Sequence, residues 1–126
     1  MHRSRLGGLI IDCRTDDLES AAKFWSKVLG YETRHSADPA DAGYVVLQTA
    51  PEDPYIEVQR VEHPSRVHLD VETDDVDAEV SRLERLGARR IEKIRDWWVM
   101  EAPTGHRFCV VPVERSAFAQ GANRWE

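Results

Sequence analysis

The sequence lacks most of the features that assign a function directly. Its two cysteines, Cys13 and Cys109, are too far apart along the chain to indicate a disulfide framework. It contains no Cys-x-x-Cys pair, no glycine-rich phosphate loop and no Ser–His–Asp order with a strained nucleophile turn. These absences exclude a thioredoxin-type redox motif, a P-loop and a serine-hydrolase site.

Long apolar runs and basic stripes are also missing. The apolar stretch after the basic N-terminus contains two glycines and ends at Asp12, which makes it too short for a secretory signal or a membrane span. The net charge is −6, so the chain as a whole repels nucleic-acid phosphates. We therefore expect no membrane partner, no nucleic-acid partner, two reduced thiols and a cytoplasmic location.

The composition is that of a small globular protein. Of the 126 residues, 41% are hydrophobic and 32% are charged. A chain of this size buries about two-thirds of its unfolded surface, which supports one hydrophobic core. We predict a single domain over residues 1–126.

The first half of the chain predicts a strand, a helix and three further strands. Residues 9–13 form a short apolar run, and Asp16 and Asp17 offer helix caps, with Glu19 in capping-box position. Apolar residues at spacings of three and four predict a helix over 17–29 that Gly30 ends. Strands are predicted over 31–35, 44–48 and 55–61.

The same order of elements begins again in the second half. A strand over 67–71 precedes Asp74 and Asp75, which lie 58 residues after Asp16 and Asp17. An apolar helix follows and ends at Gly87, and strands are predicted over 91–94, 97–101 and 107–113. This nearly constant offset predicts an internal duplication of a βαβββ unit.

The duplication predicts an α+β fold made of two tandem βαβββ modules. We place module 1 at about 6–62, module 2 at about 65–113 and a C-terminal tail at 114–126. Each module alone exposes an apolar sheet face. We therefore expect cupped, mixed sheets with the helices outside and a small ligand in the concavity between the modules.

At this point the sequence resembles the vicinal oxygen chelate superfamily, and within it the small glyoxalase-like proteins. The likeness rests on Asp-Asp-Leu at 16–18, Phe-Trp at 24–25, Leu-Gly-Tyr at 29–31, Val-His-Leu-Asp-Val at 67–71, Asp-Asp-Val at 74–76, Leu-Gly-Ala-Arg at 86–89, Trp-Val-Met at 98–100, Pro-Thr-Gly at 103–105 and Phe-Cys-Val-Val at 108–111. The superfamily includes glyoxalases, epimerases, ring-cleaving dioxygenases and antibiotic-resistance proteins such as those against bleomycin, so the resemblance implies the fold more than an activity.

The resemblance implies metal ligands on the first and last strands of each module. The matching positions here hold Ile10, Glu57, His68 and Cys109. Isoleucine cannot bind a metal, and cysteine is a soft ligand that suits zinc better than harder ions. We therefore expect no metal cofactor. If a divalent metal is bound, its ligands are His68, Glu57 and Cys109.

The candidate site residues follow from the strand patterns. We predict His68 and Glu57 as the catalytic pair, one abstracting a proton beside a carbonyl and the other orienting it. Predicted substrate-binding residues are Gln59, Asp70, Trp97, Trp98 and Cys109. The alternative for His68 is a structural histidine that hydrogen-bonds Asp70 or Glu57, and a structural role is favoured for Asp12 and Asp70. Of the two tryptophans, one is expected in the core.

Three functions stay open at this stage. The first is a glyoxalase-like protein that binds a small molecule in the inter-module cleft and acts as a metal-independent lyase or isomerase. The second is a drug-resistance protein that sequesters its ligand unchanged. The third is a metal-dependent enzyme with an atypical His/Glu/Cys site.

The remaining expectations concern partners and surface residues. We predict a homodimer with an unknown small-molecule ligand, and Phe118 and Trp125 of the tail suggest docking on a neighbouring surface, including one across a dimer. Glu79 and Arg82 read as an ordinary surface pair on the second helix. Four histidines are expected to be solvated: His2, His35, His63 and His106.

Overall fold

The computed structural model describes residues 1–113 and 118–126. The chain divides into two compact units. The first module is Gly8–Val67, and the second module combines His68–Glu126 with the N-terminal residues Met1–Gly7. Part of the predicted tail, residues 114–117, lies outside the described residues. No helix in the described part is long and apolar enough to cross a membrane.

The first module has the order strand, helix, strand, strand, strand. Strand β1 (His2–Arg14) enters it at Gly8, and helix α1 (Leu18–Leu29) follows. Strands β2 (Thr33–Arg34), β3 (Tyr44–Leu47) and β4 (Tyr55–Val61) complete it. β1 is parallel to β4, β4 is antiparallel to β3, and β3 is antiparallel to β2.

The second module repeats this order. It comprises β5 (Arg66–Thr73), α2 (Val76–Arg85), β6 (Arg89–Ile94), β7 (Trp97–Glu101) and β8 (Arg107–Pro112). β5 is parallel to β8, β8 is antiparallel to β7, and β7 is antiparallel to β6. The identical pairing pattern confirms the predicted tandem βαβββ arrangement.

Both helices begin at the second aspartate of an Asp-Asp pair. The Asp17 carboxylate accepts hydrogen bonds from the backbone N–H and the hydroxyl of Ser20, at 3.1 and 2.7 Å. The Asp75 carboxylate accepts from the backbone N–H of Ala78 at 3.0 Å. The predicted capping box between Asp16 and Glu19 is therefore wrong, because the cap lies one residue later, at Asp17, whose own backbone N–H donates to the Thr15 hydroxyl at 3.0 Å.

Each helix packs on the sheet of its own module through a small core. In the first module, Ala22 of α1 is buried with Ile11, Val45, Leu47 and Val58. In the second, Val80 of α2 is buried with Met100 and Val110. Trp25 packs against the first of these cores, as predicted from helical spacing. Burying apolar area at about 25 cal/mol per Å² is what stabilises each helix on its sheet.

Several predicted strand boundaries are wrong. β5 ends at Thr73 and β6 begins at Arg89, each two residues beyond the prediction. The predicted strand over 31–35 is only Thr33–Arg34, and β1 begins at His2 rather than Leu9. The early start has a tertiary cause, because His2–Ser4 pairs antiparallel with the C-terminal strand β9 (Asn123–Trp125). A single turn of helix α3 (Phe118–Gly121) precedes β9. Pairing with a distant segment makes the basic N-terminus a strand, which local sequence does not indicate.

Candidate functional site

Strands β5 and β8 position the candidate site inside the second module. Side chains alternate between the two faces of a strand, so His68 and Asp70 share one face of β5. Asp70 is paired with Cys109 in the parallel register of β5 and β8. The pairing brings the thiol beside the two residues that the sequence predicted on β5.

The three side chains form a tight, largely buried group. One donor atom from each of His68, Asp70 and Cys109 lies within 4.8 Å of the others. His68 Nε2 is 3.4 Å from Asp70 Oδ1, and the two side chains are 13% and 10% exposed. Cys109 is a free, buried cysteine. In the described part of the chain, this is the one cluster of three or more such donors.

This arrangement combines three chemical capacities. An imidazole beside a buried carboxylate is held in one orientation and is suited to accept a proton. The cysteine adds a soft donor, and the imidazole and carboxylate add nitrogen and oxygen donors. The cluster therefore fits proton transfer by His68, and its donor set also fits a tetrahedral metal of the zinc type.

The first module holds a different set at the corresponding positions. Counting back 58 residues, Ile10 is the equivalent of His68 and Asp12 is the equivalent of Asp70. β1 and β4 pair Asp12 with Gln59, as β5 and β8 pair Asp70 with Cys109. Gln59 is therefore the counterpart of Cys109. The predicted equivalence of Glu57 with Cys109 is wrong by two residues, because loop lengths differ between the modules.

Residues of the first-module set have structural partners in that module. Gln59 Nε2 donates to the Tyr44 hydroxyl at 2.8 Å. Asp12 is buried, with Oδ2 4.0 Å from Arg66 Nε. Ile10 is 2% exposed and offers no donor atom. The predicted site residues Glu57 and Gln59 thus belong to the first module, and the role of Glu57 in catalysis stays a prediction.

The two predicted tryptophans occupy different environments on β7. Trp98 packs against the core of the second module, and the Arg90 guanidinium lies 5.1 Å from its ring centre. The Arg95 guanidinium lies 5.7 Å from the ring centre of Trp97. Trp98 is the core tryptophan that strand alternation anticipated, and a substrate-binding role for Trp97 stays a prediction.

Sequence reasoning missed a second polar cluster, around helix α2. Glu79 is fully buried, and its carboxylate accepts two hydrogen bonds from Arg82, each 2.8 Å. His2 Nε2 lies 2.8 Å from the same carboxylate, with a side chain only 8% exposed. The predictions of a surface Glu79–Arg82 pair and a solvated His2 are therefore wrong. One signal was available, because Glu79 lies three residues after Val76 and so shares the apolar stripe of α2.

The environment of Glu79 changes its ionisation. Burial raises the pKa of the carboxyl, but hydrogen bonds from Arg82, His2 and Ser4 and the charge of Arg82 outweigh it. The resulting pKa is about 2, against an ordinary value of 4.5. Glu79 is therefore a buried carboxylate held ionised by its partners.

The same cluster anchors the C-terminal strand to its own module. The Arg82 guanidinium stacks on the Trp125 ring at 3.8 Å from the ring centre, and Trp125 Nε1 donates to Ser4 Oγ at 2.8 Å. Phe118 is buried with 6% exposure. The two aromatics were expected to dock on a neighbouring surface; they dock within their own chain, so they give no indication of a dimer.

Comparison with known proteins identifies the family. A family model described as a glyoxalase-like domain matches residues 8–111. No curated protein matches the chain in sequence. Among solved structures, a methylmalonyl-CoA epimerase in complex with methylmalonyl-CoA and NH4+ is similar, with 17% identity over 87% of this chain and 94% of that chain and a TM-score of 0.58.

Two further structures extend the comparison. The methylmalonyl-CoA epimerase from Mycobacterium tuberculosis is 18% identical over 85% of this chain and 86% of that chain, with a TM-score of 0.64. A hypothetical protein from Bacillus halodurans is 12% identical over 91% and 98%, also with a TM-score of 0.64. At these identities the structures share the fold alone. The family model spans most of the chain, and with the repeated βαβββ fold it shows that the protein belongs to the glyoxalase-like domain family of the vicinal oxygen chelate superfamily.

Proposed function

We propose that this protein binds a small carbonyl compound and acts as a lyase or isomerase by moving a proton at the carbon beside the carbonyl. His68 is the proton-transfer residue. The observation that carries the proposal is the largely buried His68–Asp70 pair, with 3.4 Å between Nε2 and Oδ1. A positioned histidine of this kind accelerates proton transfer by about 10²–10⁴-fold.

The proposed step is a reversible proton abstraction. The C–H bond next to the carbonyl breaks, its proton goes to a ring nitrogen of His68, and the electron pair forms an enolate. Return of the proton from the imidazolium to the same face of that carbon regenerates the carbonyl compound, whereas a proton from water on the opposite face inverts the centre and completes an isomerisation, after which the imidazolium releases its proton to solvent. Asp70 acts as a positioning residue, because its carboxylate orients the imidazole and stabilises its protonated form.

The structural relatives suggest the first substrates to try. Two of them are methylmalonyl-CoA epimerases, and one is in complex with methylmalonyl-CoA. An epimerase acts at a single carbon centre, which is the type of step proposed for His68. Methylmalonyl-CoA is therefore the first probe, followed by simpler α-substituted thioesters and ketones.

The proposed step requires no metal. Proton abstraction uses only the imidazole and its carboxylate partner, so chelator-treated protein should retain activity.

Three earlier expectations stay predictions: Glu57 as the second catalytic group, the homodimer and the cytoplasmic location. Sedimentation of the purified protein would test the homodimer.

The experiment is deuterium exchange. The protein is treated with a chelator and incubated in D₂O with methylmalonyl-CoA and the simpler compounds, and loss of the α-proton signal is followed by NMR. We expect exchange with at least one compound, and a drop of about 10²–10⁴-fold in His68→Gln. His35→Gln is the matched control, because His35 is an exposed histidine paired with Glu19.

The outcomes separate the candidate functions. Exchange by His68→Gln at the wild-type rate would contradict the assignment of His68. Tight binding of a compound with no exchange by the wild-type protein would favour the sequestering function instead.

A further inference from the structure

We propose that Cys109 is a covalent binding site for α,β-unsaturated carbonyl compounds, and that His68 moves the proton that the addition and its reversal require. This inference rests on the proposed function, because His68 acts on the same carbon, the one beside the carbonyl. It names a substrate class for the site, the conjugated enones and enoyl thioesters, and it gives the buried thiol a chemical role.

The strand register turns the Cys109 thiol towards the imidazole. The next residue of β8, Val110, is buried in the core that includes Val80 of α2, and neighbouring side chains of a strand point to opposite faces. Cys109 therefore lies on the face of β8 that is turned away from α2. Its pairing with Asp70 of β5 puts it on the same sheet face as Asp70 and His68.

The distances within the cluster suit a ligand that reacts at two adjacent carbons. The donor atoms of Cys109 and His68 are no more than 4.8 Å apart. Reacting atoms approach to about 3–3.5 Å before a bond forms. One ligand can therefore contact the thiol with its β-carbon and the imidazole with its α-carbon at the same time. Asp70 Oδ1, 3.4 Å from His68 Nε2, orients the ring during both contacts.

The addition step needs no other reactant. The thiolate is the nucleophilic form of cysteine, so the thiol proton passes to His68 as the sulfur attacks. A carbon–sulfur bond forms at the β-carbon, the carbon–carbon π bond breaks, and its electron pair becomes an enolate. His68 then gives the proton to the α-carbon. The net result is addition of S–H across the double bond.

The reverse step is the reaction already proposed for His68. Abstraction of the α-proton by the imidazole forms the enolate again. The enolate expels the sulfur from the β-carbon, the double bond is restored, and the proton returns from the imidazolium to the thiolate. The adduct is therefore reversible, and its lifetime depends on His68.

The other cysteine provides an internal comparison. Both thiols are free and both residues are 9% exposed, so burial alone does not distinguish them. Cys13 packs in the first-module core with Ala22 of α1, and its Sγ donates to the Ile11 carbonyl at 3.5 Å. Burial and the charge of Asp12 raise the pKa of the Cys13 thiol. Because buried thiols in apolar surroundings are inert, we expect addition at Cys109 and not at Cys13.

The first test is labelling of the folded protein. Chelator-treated protein is incubated with one equivalent of methyl vinyl ketone, and the adduct is followed by intact-mass spectrometry and located by peptide mapping. We expect one adduct per chain, formed at least about tenfold faster at Cys109 than at Cys13. Cys109→Ala should lose the adduct and Cys13→Ala should keep it, with circular dichroism to confirm that both variants are folded.

The second test measures the role of His68. His68→Gln should slow the addition at least about tenfold; the full effect of a positioned acid–base group is 10²–10⁴-fold, and water replaces part of it. After excess ketone is removed and a free thiol is added as a trap, the wild type should release its adduct and His68→Gln should retain it. The iodoacetamide adduct has no bond that this elimination breaks, so it should persist in both. His35→Gln is again the control.

The outcomes distinguish this inference from the proposed function. Labelling of Cys13 as fast as Cys109, or no adduct in the wild type, would overturn the covalent site; if saturated compounds still exchange their α-protons, the proposed function stands alone. Equal addition and release rates in the wild type and His68→Gln would contradict the role of His68 in this chemistry. A reversible Cys109 adduct in a protein that never exchanges the α-protons of saturated compounds would contradict the proposed function and support the covalent site.

Discussion

The two modules have the same order of elements and the same strand pairing, yet they hold different polar residues at matched positions. In the second module, His68, Asp70 and Cys109 form a compact donor cluster. In the first, the positions hold Ile10, Asp12 and Gln59. The two modules thus share a backbone arrangement and differ in side chains: among the described residues, the cluster of three donor side chains lies in the second module.

The two helices also hold different residues at equivalent positions. Counting back 58 residues, Glu79 and Arg82 of α2 correspond to Ala21 and Phe24 of α1. The polar pair of α2 is buried or half-buried under His2 and Trp125, whereas Phe24 is 58% exposed. The two helix surfaces differ in what covers them, because the N- and C-terminal segments pack on α2.

The largest expected effect tests this difference between the helices. Glu79→Ala removes one partner of a buried charge cluster and leaves Arg82 and His2 without their carboxylate. We expect a loss of about 3–5 kcal/mol in the free energy of unfolding, measured by urea denaturation at pH 7. Glu19→Ala in α1 is the control, because its side chain is 70% exposed, and it should change stability by less than about 0.5 kcal/mol. Equal effects of the two variants would contradict the burial of Glu79.

The low pKa of Glu79 makes its contribution to the free energy of unfolding depend on pH. The folded-state pKa of about 2 lies below the ordinary 4.5. The ionised carboxylate therefore stabilises the fold above pH 4.5, and this contribution is lost as the pH falls from about 4.5 to 2. The difference corresponds to about 3 kcal/mol. Denaturation of the wild type and Glu79→Gln from pH 7 to pH 3 should show curves that converge as the pH falls; a constant gap would be evidence against the depressed pKa.

A smaller effect is expected when the equivalent aspartates of the two modules, Asp70 and Asp12, are replaced one at a time by asparagine. Asp70→Asn should lower kcat for α-proton exchange by at least about tenfold, up to the 10²–10⁴-fold of the histidine itself, with KM unchanged. Asp12→Asn should leave kcat unchanged and lower only the melting temperature, because its ionic partner is Arg66. A rise in KM without a change in kcat in Asp70→Asn would mean that Asp70 binds the substrate and does not orient His68.

The glycines that follow the two helices differ in the space that a side chain would have. Gly30 and Gly87 have φ angles of 78° and 109°, which disfavour any side chain. A Cβ at Gly30 meets no atom within 4 Å, whereas one at Gly87 lies 3.1 Å from Pro103 Cγ. We expect Gly30→Ala to cost about 1–2 kcal/mol and Gly87→Ala to cost more. Thermal denaturation would measure both, and the reverse order would show that the proline yields easily.

The smallest effect concerns the helix caps. Asp75→Ala removes the acceptor for the Ala78 N–H and should cost about 1 kcal/mol. Asp75→Asn keeps an acceptor and should recover most of the loss. Asp17→Ala should act in the same direction on α1, where hydrogen bonds from Ser20 lower the pKa of the cap. Chemical denaturation at pH 7 tests the series, and a neutral Asp75→Ala would contradict the cap.

Much of the fold was predictable from the sequence because its signals are short-range. The strand over 55–61, the first residue of each helix to within one position, and the left-handed Gly30 all follow from neighbouring residues. The errors have long-range causes. β1 begins at His2 because β9 pairs with it. The burial of Glu79 depends on His2 and Trp125, which come from the two ends of the chain.

The candidate site divides in the same way. Alternation along a strand placed His68 and Asp70 on one face, and this needs no knowledge of other strands. The counterpart of Cys109 was predicted as Glu57 but is Gln59, because strand register depends on loop lengths and core packing. Asp70 was expected as a substrate-binding or structural residue. It lies in the donor cluster because the register of β5 and β8 pairs it with Cys109.

By itself, the sequence determined a tandem βαβββ protein with Asp-capped helices and a histidine and an aspartate on one strand face. Periodicity and capping act over a few residues, so they can be read along the chain. Only the tertiary structure decided that Cys109 lies beside Asp70 and that the terminal segments enclose Glu79. Those contacts depend on the register between distant strands, which is set by how the cores pack and by no local pattern.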